Sequence, residues 1–239
     1  MASSVVLLSA GLDSTVNLRC ALDSGRVRLA LTFDYGQRAA RRESAAAARM
    51  CDRLGVRHKV LPLKWLGAIS DSALVKKGRP LPRPRPGHLD DPVASARTAR
   101  RVWVPNRNAV LLAVAAAYAE ALDADEVVAG FNAEEAAAFP DNSAEFVNAF
   151  NRMLSHSTMR DVKVRTYTGR RAKPAIVTLG LRSNAPLDLV WCCYAGGRRL
   201  CGKCESCLRF LRAIRVAGAE TWFRENHPWM PAFGRKKTR

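Results

Sequence analysis

The sequence contains no uninterrupted apolar run of the roughly 20 residues that a membrane-spanning helix requires. The first four residues also lack the charged start of a signal peptide and lead directly into an apolar run typical of a buried strand. These absences exclude a membrane span and argue against a secretory leader. We therefore expect a cytoplasmic protein.

Acidic residues are scarce, with 21 Asp and Glu against 39 Lys and Arg, which gives a net charge of +18. A field of this sign attracts nucleic acid, nucleotides and acidic substrates. The arginines are mostly scattered, which fits a solvated charged surface equally well. Basic residues concentrate only at Arg97–Arg101 and near the C-terminus. Nucleic-acid binding is therefore one candidate role.

Apolar runs alternate with helix-type patterns along most of the chain. Strands are predicted at 5–8, 26–33, 57–63, 125–130 and 162–167, and helices at 15–22, 39–54, 109–122, 142–156 and 172–179. This β–α alternation indicates a doubly wound α/β fold, with a mostly parallel sheet and helices on both faces. Ligands of such folds bind at the carboxyl ends of the strands.

The turn after the first strand reads Ser-Ala-Gly-Leu-Asp-Ser and spans residues 9–14. Its small side chains allow anionic oxygens to reach backbone N–H groups and the positive end of the next helix. Hydroxyls of Ser9, Ser14 and Thr15 can add donors. An ordinary turn capped by Ser or Asp fits the spacing equally well. The Gly-x4-Gly-Lys pattern is absent, which disfavours a γ-phosphate-transferring NTPase.

Five of the seven cysteines fall within residues 192–207, whereas the other two lie in apolar helical patterns. Two overlapping Cys-x2-Cys steps place Cys201, Cys204 and Cys207 on one turn, and Cys192 or Cys193 can complete a tetrahedron. In a reducing compartment this cluster indicates a metal rather than disulfides. Four thiolates are typical of structural zinc, with an iron–sulfur cluster as the competing occupant.

Residues 78–101 form a proline-rich loop whose five prolines disfavour a helix and favour extended chain. We expect this loop to be disordered or to act as a lid. The predicted organisation is an α/β domain at 1–185 that contains this loop, a zinc-binding C-terminal region at 186–230 and a disordered basic tail at 231–239.

Ser-Gly-Gly-x-Asp-Ser after the first strand is the pyrophosphate-loop motif of the ATP-pyrophosphatase group, and the turn at 9–14 resembles it. Further motifs follow in order: Asp34-Tyr-Gly-Gln37, Val104-Pro-Asn-Arg-Asn108, Gly130-Phe-Asn-Ala-Glu134, and Trp191-Cys-Cys-Tyr194 with Cys201-Gly-Lys-Cys-Glu-Ser-Cys207. Together, from about residue 4 to 210, the chain is similar to the 7-cyano-7-deazaguanine synthase family.

The resemblance implies an ATP-dependent carbon–nitrogen ligase of queuosine-type deazapurine biosynthesis. Members convert 7-carboxy-7-deazaguanine and ammonia into 7-cyano-7-deazaguanine through an adenylated carboxylate and an amide. ATP, zinc and magnesium are the implied cofactors. The partners are a small carboxylate substrate and ammonia, and the family likeness together with surplus apolar helices suggests a homodimer.

The resemblance also assigns roles to residues. Asp13, Arg107 and Lys173 are the candidate catalytic residues: Asp13 for magnesium, Arg107 as a phosphate or carboxylate clamp, and Lys173 to neutralise phosphate charge. A helix-capping carboxylate, a surface ion pair and a solvated lysine are the simpler interpretations of these three. The candidate cofactor-binding residues are Ser9, Ala10, Gly11, Leu12, Asp13, Ser14, Thr15, Tyr35, Gln37, Asn132 and Glu134. The family pattern selects Cys193, with Cys201, Cys204 and Cys207, as the zinc ligands.

Three positions depart from the family pattern: Ala10 and Asn106 replace glycine, and Ala39 stands where histidine is common. Ala10 would be strained if its φ were positive. Two alternatives therefore accompany the main hypothesis. One is a relative that adenylates another carboxylate, on a protein or a nucleic acid. The other is a zinc-stabilised nucleic-acid-binding protein on the same scaffold.

Overall fold

The computed structural model describes residues 1–228, so the predicted basic tail at 231–239 lies outside the described residues. Within this range the centre is a sheet whose neighbouring strands are all parallel. Its strands are β1 (Ala2–Leu7), β2 (Gly25–Asp34), β3 (His58–Pro62), β4 (Glu126–Val128) and β5 (Lys163–Arg165). The order β3-β2-β1-β4-β5 puts the first strand in the middle.

Ten α-helices occur between residues 1 and 228. They are α1 (Leu12–Ser24), α2 (Ala40–Leu54), α3 (Lys64–Ala68), α4 (Pro92–Val102), α5 (Arg107–Ala121), α6 (Ala133–Ala136), α7 (Ala144–Ser157), α8 (Lys173–Arg182), α9 (Glu205–Val216) and α10 (Glu220–Asn226). Short 3₁₀ helices lie at Pro86–His88, Pro140–Asn142 and Leu187–Leu189. Throughout the described range, every helix is too short or too polar to cross a membrane.

Helices cover both faces of the sheet, because successive strand residues point to opposite sides. Val6 belongs to a core formed with α1, α2, α8, α9 and α10. Val5 belongs to a second core formed with α5 and α7. The predicted doubly wound α/β fold is therefore confirmed.

Local chemistry explains several helix ends. Gly55 ends α2 in the left-handed region at φ 65, which costs glycine little. Ser143 begins α7 because its hydroxyl oxygen accepts a hydrogen bond from the Phe146 N–H at 3.0 Å.

The proline-rich loop differs from its prediction, because residues 92–101 lie within helix α4. Pro92 occupies the first turn, where a missing N–H costs nothing, and Asp91 accepts from the Ala94 N–H at 2.7 Å. Residues before the helix make long-range contacts, including Arg101 Nη2 to the Pro80 carbonyl at 2.7 Å. The expectation of a helix-free segment was therefore wrong after residue 91.

The C-terminal region continues the core of the α/β sheet. Phe210 and Ile214 of α9 and Phe223 of α10 belong to the same apolar cluster as Val6. The zinc-binding region predicted at 186–230 thus packs directly on the predicted domain at 1–185. The boundary between the two remains a prediction.

Candidate functional site

A cavity of about 280 Å³ opens at the carboxyl ends of β1, β2 and β4. Most of the residues predicted to bind ligands line it: Ser9, Gly11, Leu12, Asp13, Ser14, Tyr35, Gln37, Arg107, Glu134 and Lys173. Three predicted cofactor-binding residues, Ala10, Thr15 and Asn132, are absent from the lining. The structure thus brings most of the predicted residues together at one edge of the sheet, whereas their roles stay predictions.

The turn at 9–14 presents the start of α1 to this cavity. Gly11 caps the helix without a side-chain hydrogen bond, so backbone donors of the first turn stay available to a ligand. The Ser9 and Ser14 hydroxyl oxygens lie 3.1 Å apart. A Cβ on Gly130, after β4, would lie 2.6 Å from the Ser14 backbone N, so only glycine permits this close approach. The arrangement suits an anion.

Ala10 and Thr15 support the turn from behind. Ala10 is fully buried at φ 59, and its carbonyl accepts from the Trp191 N–H at 2.8 Å. Thr15 Oγ1 donates to the Gly11 carbonyl at 2.7 Å. The strain expected for alanine at a positive φ is therefore present. Both residues shape the turn rather than face the cavity.

Lys173 is buried at the first turn of α8 between two carboxylates. Its Nζ lies 2.9 Å from Asp13 Oδ2 and 2.8 Å from Glu135 Oε1. The simpler interpretation of Lys173 as a solvated lysine is therefore wrong. Asp13 Oδ1 is buried without a hydrogen-bond partner. Two carboxylates against one ammonium leave a net negative charge, which a divalent cation at this oxygen would balance.

The pKa shifts of this group follow from burial and pairing. Burial raises the pKa of Asp13, and the charge of Lys173 only partly offsets this. Burial also favours a raised pKa for Glu135, but the charge and hydrogen bond of Lys173 bring it below the ordinary value. Burial would lower the pKa of Lys173, yet the two carboxylates raise it overall. Lys173 therefore stays charged at neutral pH.

Glu134, the predicted cofactor-binding residue, and the neighbouring Glu135 contact different parts of Lys173. Glu134 Oε1 accepts the Lys173 backbone N–H at 2.8 Å, and its other oxygen pairs with Arg212. Glu135, which the sequence reading missed, contacts the Lys173 ammonium. Asn132 is fully buried, and its Oδ1 caps α6 through the Glu135 N–H at 2.9 Å. Glu134 thus holds the start of α8, and Asn132 holds the start of α6.

Arg107 begins α5 directly after Asn106, which has φ 52. Its Nη1 donates to the Tyr35 hydroxyl at 3.4 Å and its Nε to Asn108 Oδ1 at 3.3 Å. Among the ion pairs formed within residues 1–228, none includes Arg107. The guanidinium thus faces the cavity without a carboxylate partner, contrary to a surface ion pair.

Both the oxygen and the nitrogen of the Gln37 side-chain amide form hydrogen bonds within the protein. Its Nε2 donates to the Phe33 carbonyl at 2.9 Å and to Glu43 Oε2 at 2.8 Å, while its Oε1 accepts the Tyr35 N–H at 3.0 Å. Glu43, from the first turn of α2, lines the cavity and was missed by the sequence reading. Burial raises the pKa of Glu43 to about 7, against the opposing hydrogen bond from Gln37.

An aromatic pair stands at one side of the cavity. Phe139 lines it and stacks on Trp103, with ring centroids 6.2 Å apart and an interplanar angle of 11°. The buried Asp141 carboxylate is held by the Asn108 N–H at 3.4 Å.

The sulfur atoms of Cys193, Cys201, Cys204 and Cys207 lie within 4.8 Å of one another. Those of Cys201 and Cys207 are 3.9 Å apart, close to the edge of a tetrahedron with bonds of about 2.3 Å. Four thiolates at this spacing fit a zinc ion and leave no open position. Cys192 lies outside this group and lines the cavity. The geometry thus favours Cys193 as the fourth ligand.

The cysteine cluster lies beside the cavity because α9 begins at its last ligands. Glu205, Ser206 and Arg209 of α9 line the cavity, as does Tyr194 next to Cys193. Arg209 pairs with Glu205 at 3.0 Å and with Glu134 at 3.7 Å. A metal that holds the four sulfurs therefore also holds one wall of the cavity, which the sequence reading did not predict.

A family model described as queuosine biosynthesis protein QueC matches residues 3–218. The chain belongs to this family. A 7-cyano-7-deazaguanine synthase of Pelotomaculum thermopropionicum is 52% identical over 91% of this chain and 98% of its own length. One of Desulforudis audaxviator is 54% identical over 90% and 97%, and one of Methanothermobacter thermautotrophicus is 44% identical over 92% and 99%.

Membership of the QueC family confirms the resemblance drawn from the ordered motifs. The match covers the pyrophosphate-type turn, the cavity residues and all four clustered cysteines. It ends before α10, although Phe223 of that helix is buried in the common core. The chain therefore carries its structural core slightly beyond the matched region.

Proposed function

We propose that this chain is an ATP-dependent carbon–nitrogen ligase that converts 7-carboxy-7-deazaguanine and ammonia into 7-cyano-7-deazaguanine. QueC family membership and the names of the curated relatives support this reaction. The observation that carries the proposal is the α1 start beside a buried Lys173–Asp13–Glu135 group in one cavity. Such a site suits nucleotide phosphates.

Adenylation explains why phosphate binding and carboxylate chemistry share a site. A carboxylate is a poor electrophile, and joining it to AMP supplies a leaving group while pyrophosphate departs. Ser9, Gly11 and Ser14 would hold the pyrophosphate with the backbone of α1. Arg107, whose guanidinium lines the cavity and forms no ion pair within residues 1–228, would clamp the substrate carboxylate or the α-phosphate in a bidentate manner.

The donor chemistry supports two metals with different tasks. Asp13, with its unpartnered Oδ1, would hold magnesium, which supplies charge neutralisation for the departing pyrophosphate. Cys193, Cys201, Cys204 and Cys207 would hold zinc, whose role is structural because the sulfurs fill a tetrahedron. ATP, magnesium and zinc are thus the proposed cofactors.

The nitrile requires a second activation at the same site. Ammonia first displaces AMP from the acyl adenylate and gives the amide. The amide oxygen then attacks a second ATP, and AMP leaves with that oxygen as two N–H protons are lost. Arg107 and Lys173 would serve both activations, because both adenylation steps release pyrophosphate at the same position in the cavity.

Pyrophosphate release from ATP, with 7-carboxy-7-deazaguanine and ammonia present, tests the proposal. We expect Asp13→Ala to lower the rate at least about 100-fold, because it removes the cation ligand and a Lys173 partner. Asp161→Ala is the matched control, since this exposed carboxylate precedes β5 at the opposite end of the sheet. Equal rates in wild type and Asp13→Ala would contradict the assignment.

Nucleic-acid binding is the second candidate, and the net charge of +18 favours it. Absence of pyrophosphate release with any carboxylate, together with salt-sensitive RNA binding, would support this alternative. The homodimer and the cytoplasmic location stay predictions from the sequence. Size-exclusion chromatography with light scattering would test the homodimer.

A further inference from the structure

Glu43 is a cavity carboxylate to which neither phosphate binding nor metal binding assigns a role. It stands on the first turn of α2, and its Oε2 accepts a hydrogen bond from Gln37 at 2.8 Å. Gln37 is in turn fixed by the backbone of Phe33 and Tyr35. Glu43 Oε1 has no hydrogen-bond partner within residues 1–228. The carboxylate is therefore held in place with one oxygen free.

The surroundings of Glu43 bring the pKa of its carboxyl group close to neutral pH. Burial raises its pKa to about 7, and the nearby Asp34 carboxylate acts in the same direction. The Arg107 guanidinium and the Gln37 hydrogen bond oppose this shift. The Tyr35 hydroxyl, which also interacts with Glu43, stays neutral because burial raises its pKa. A carboxyl of this kind both accepts and releases a proton near neutral pH.

Glu43 and Arg107 line the same cavity, which connects Glu43 with the substrate carboxylate that Arg107 is proposed to clamp. Arg107 lies within electrostatic reach of Glu43 and is the proposed clamp for the substrate carboxylate. Ammonium, the form that predominates at neutral pH, has no lone pair with which to attack the carboxylate carbon. The reaction therefore needs a proton acceptor at this point of the cavity.

We propose that Glu43 is the general base that converts ammonium into the attacking ammonia, an inference that rests on the proposed ligase function. Ammonium gives one proton to the Glu43 carboxylate, and the freed lone pair forms the C–N bond. The C–O bond to AMP breaks with its electron pair going to the AMP phosphate. The N-protonated amide then loses a proton to water, and Glu43 returns its proton to solvent.

Glu43→Gln tests the role, because the amide keeps the shape and accepts the Gln37 hydrogen bond but takes no proton. Without ammonium, we expect carboxylate-dependent ATP–pyrophosphate exchange within about 2-fold of wild type. With ammonium at pH 7, amide and nitrile formation falls about 100-fold, the ordinary scale of general-base catalysis. Glu145→Gln, an exposed carboxylate on α7, is the matched control and leaves both rates unchanged.

Three further readouts test whether Glu43 acts as a base rather than as a structural residue. The deficit of Glu43→Gln shrinks as the pH rises from 7 to 9, because solvent then supplies free ammonia. Hydroxylamine, which is uncharged at pH 7, forms hydroxamate equally fast with wild type and variant. In wild type, ammonium use falls as the pH drops through 7, since protonated Glu43 accepts no proton.

Three results would overturn the inference. These are a parallel loss of pyrophosphate exchange, which would assign Glu43 to ATP binding, a hydroxylamine rate reduced like the ammonium rate, or unchanged ammonium kinetics in Glu43→Gln. Absence of exchange in wild type would instead overturn the proposed function itself. The two failures are therefore distinguishable.

Discussion

Single residues explain two departures from the resembled motifs. Ala10 and Asn106 replace glycine, and both lie in the left-handed region, at φ 59 and φ 52. Asn tolerates this region, whereas alanine does so at a cost of about 1 kcal/mol. Ala10 regains stability because it is fully buried in the core and its carbonyl binds Trp191. The turn thus keeps its shape without its first glycine.

The exposed Asn106 offers a direct test of this conformation. We expect Asn106→Ala to lower the free energy of unfolding by about 1 kcal/mol, because alanine disfavours a positive φ. Asn106→Gly is the matched control and changes it by less than about 0.5 kcal/mol. Urea denaturation measures both. Equal stability of the two variants would show that φ at this position is not positive.

The sequence predicts site residues that belong to motifs, but not those whose places depend on contacts made only in the folded chain. Asp13, Arg107 and Lys173 were recognised from motifs next to strand ends and helix starts. Glu43 and Glu135 were not, because their places in the cavity depend on contacts with Gln37, in the loop before α2, and with Lys173, at the start of α8. A carboxylate in the first turn of a helix ordinarily faces solvent, so its type alone gave no signal.

At the scale of elements, strands and long helices were predicted well, and segments with a competing signal were not. Apolar runs gave β1 to β5, and alanine-rich stretches gave α2 and α5 within a few residues. Helix α4 was missed because Pro92 was taken as a breaker although it stands in a first turn. Helix α9 was missed because Cys207 in its first turn was interpreted only as a metal ligand.

The position of α9 makes the metal centre important for the cavity. We expect Cys204→Ser to lower bound zinc from about one equivalent to well below half, and activity to fall with it. The reason is that Cys204 caps α9, and this helix places Glu205 and Arg209 in the cavity wall. Metal analysis of the purified protein and pyrophosphate release measure the two effects.

Cys192→Ser is the matched control for the metal centre. It changes a neighbouring cysteine that lies outside the four-sulfur group, so bound zinc stays at about one equivalent. Loss of zinc in Cys192→Ser with retention in Cys193→Ser would reverse the ligand assignment.

At the scale of the whole molecule, one apolar core joins the sheet to the C-terminal helices. Val6, Phe210, Ile214 and Phe223 are all buried within it. Burying a large apolar side chain contributes about 2 kcal/mol before the entropy cost of ordering the chain is subtracted, and the net stability of a typical domain is only about 5–15 kcal/mol. We therefore expect the predicted regions 1–185 and 186–230 to depend on each other for stability.

Truncation tests this dependence. A chain of residues 1–185 should show no cooperative thermal unfolding and should bind a hydrophobic dye, because the face around Val6 is uncovered. A chain of residues 1–228 is the control and should unfold cooperatively, since it keeps the described core. Calorimetry measures both chains. Cooperative unfolding of 1–185 would establish it as an independent domain.

The central place of β1 has a consequence during synthesis on the ribosome. Strand β1 emerges from the exit tunnel long before α9 and α10, whose apolar residues pack in the same core as Val6. At ordinary elongation rates the nascent chain waits on the order of 10 to 40 s for them. Throughout that interval the apolar face of β1 around Val6 is uncovered and available to chaperones. A stalled translation product would expose the same face.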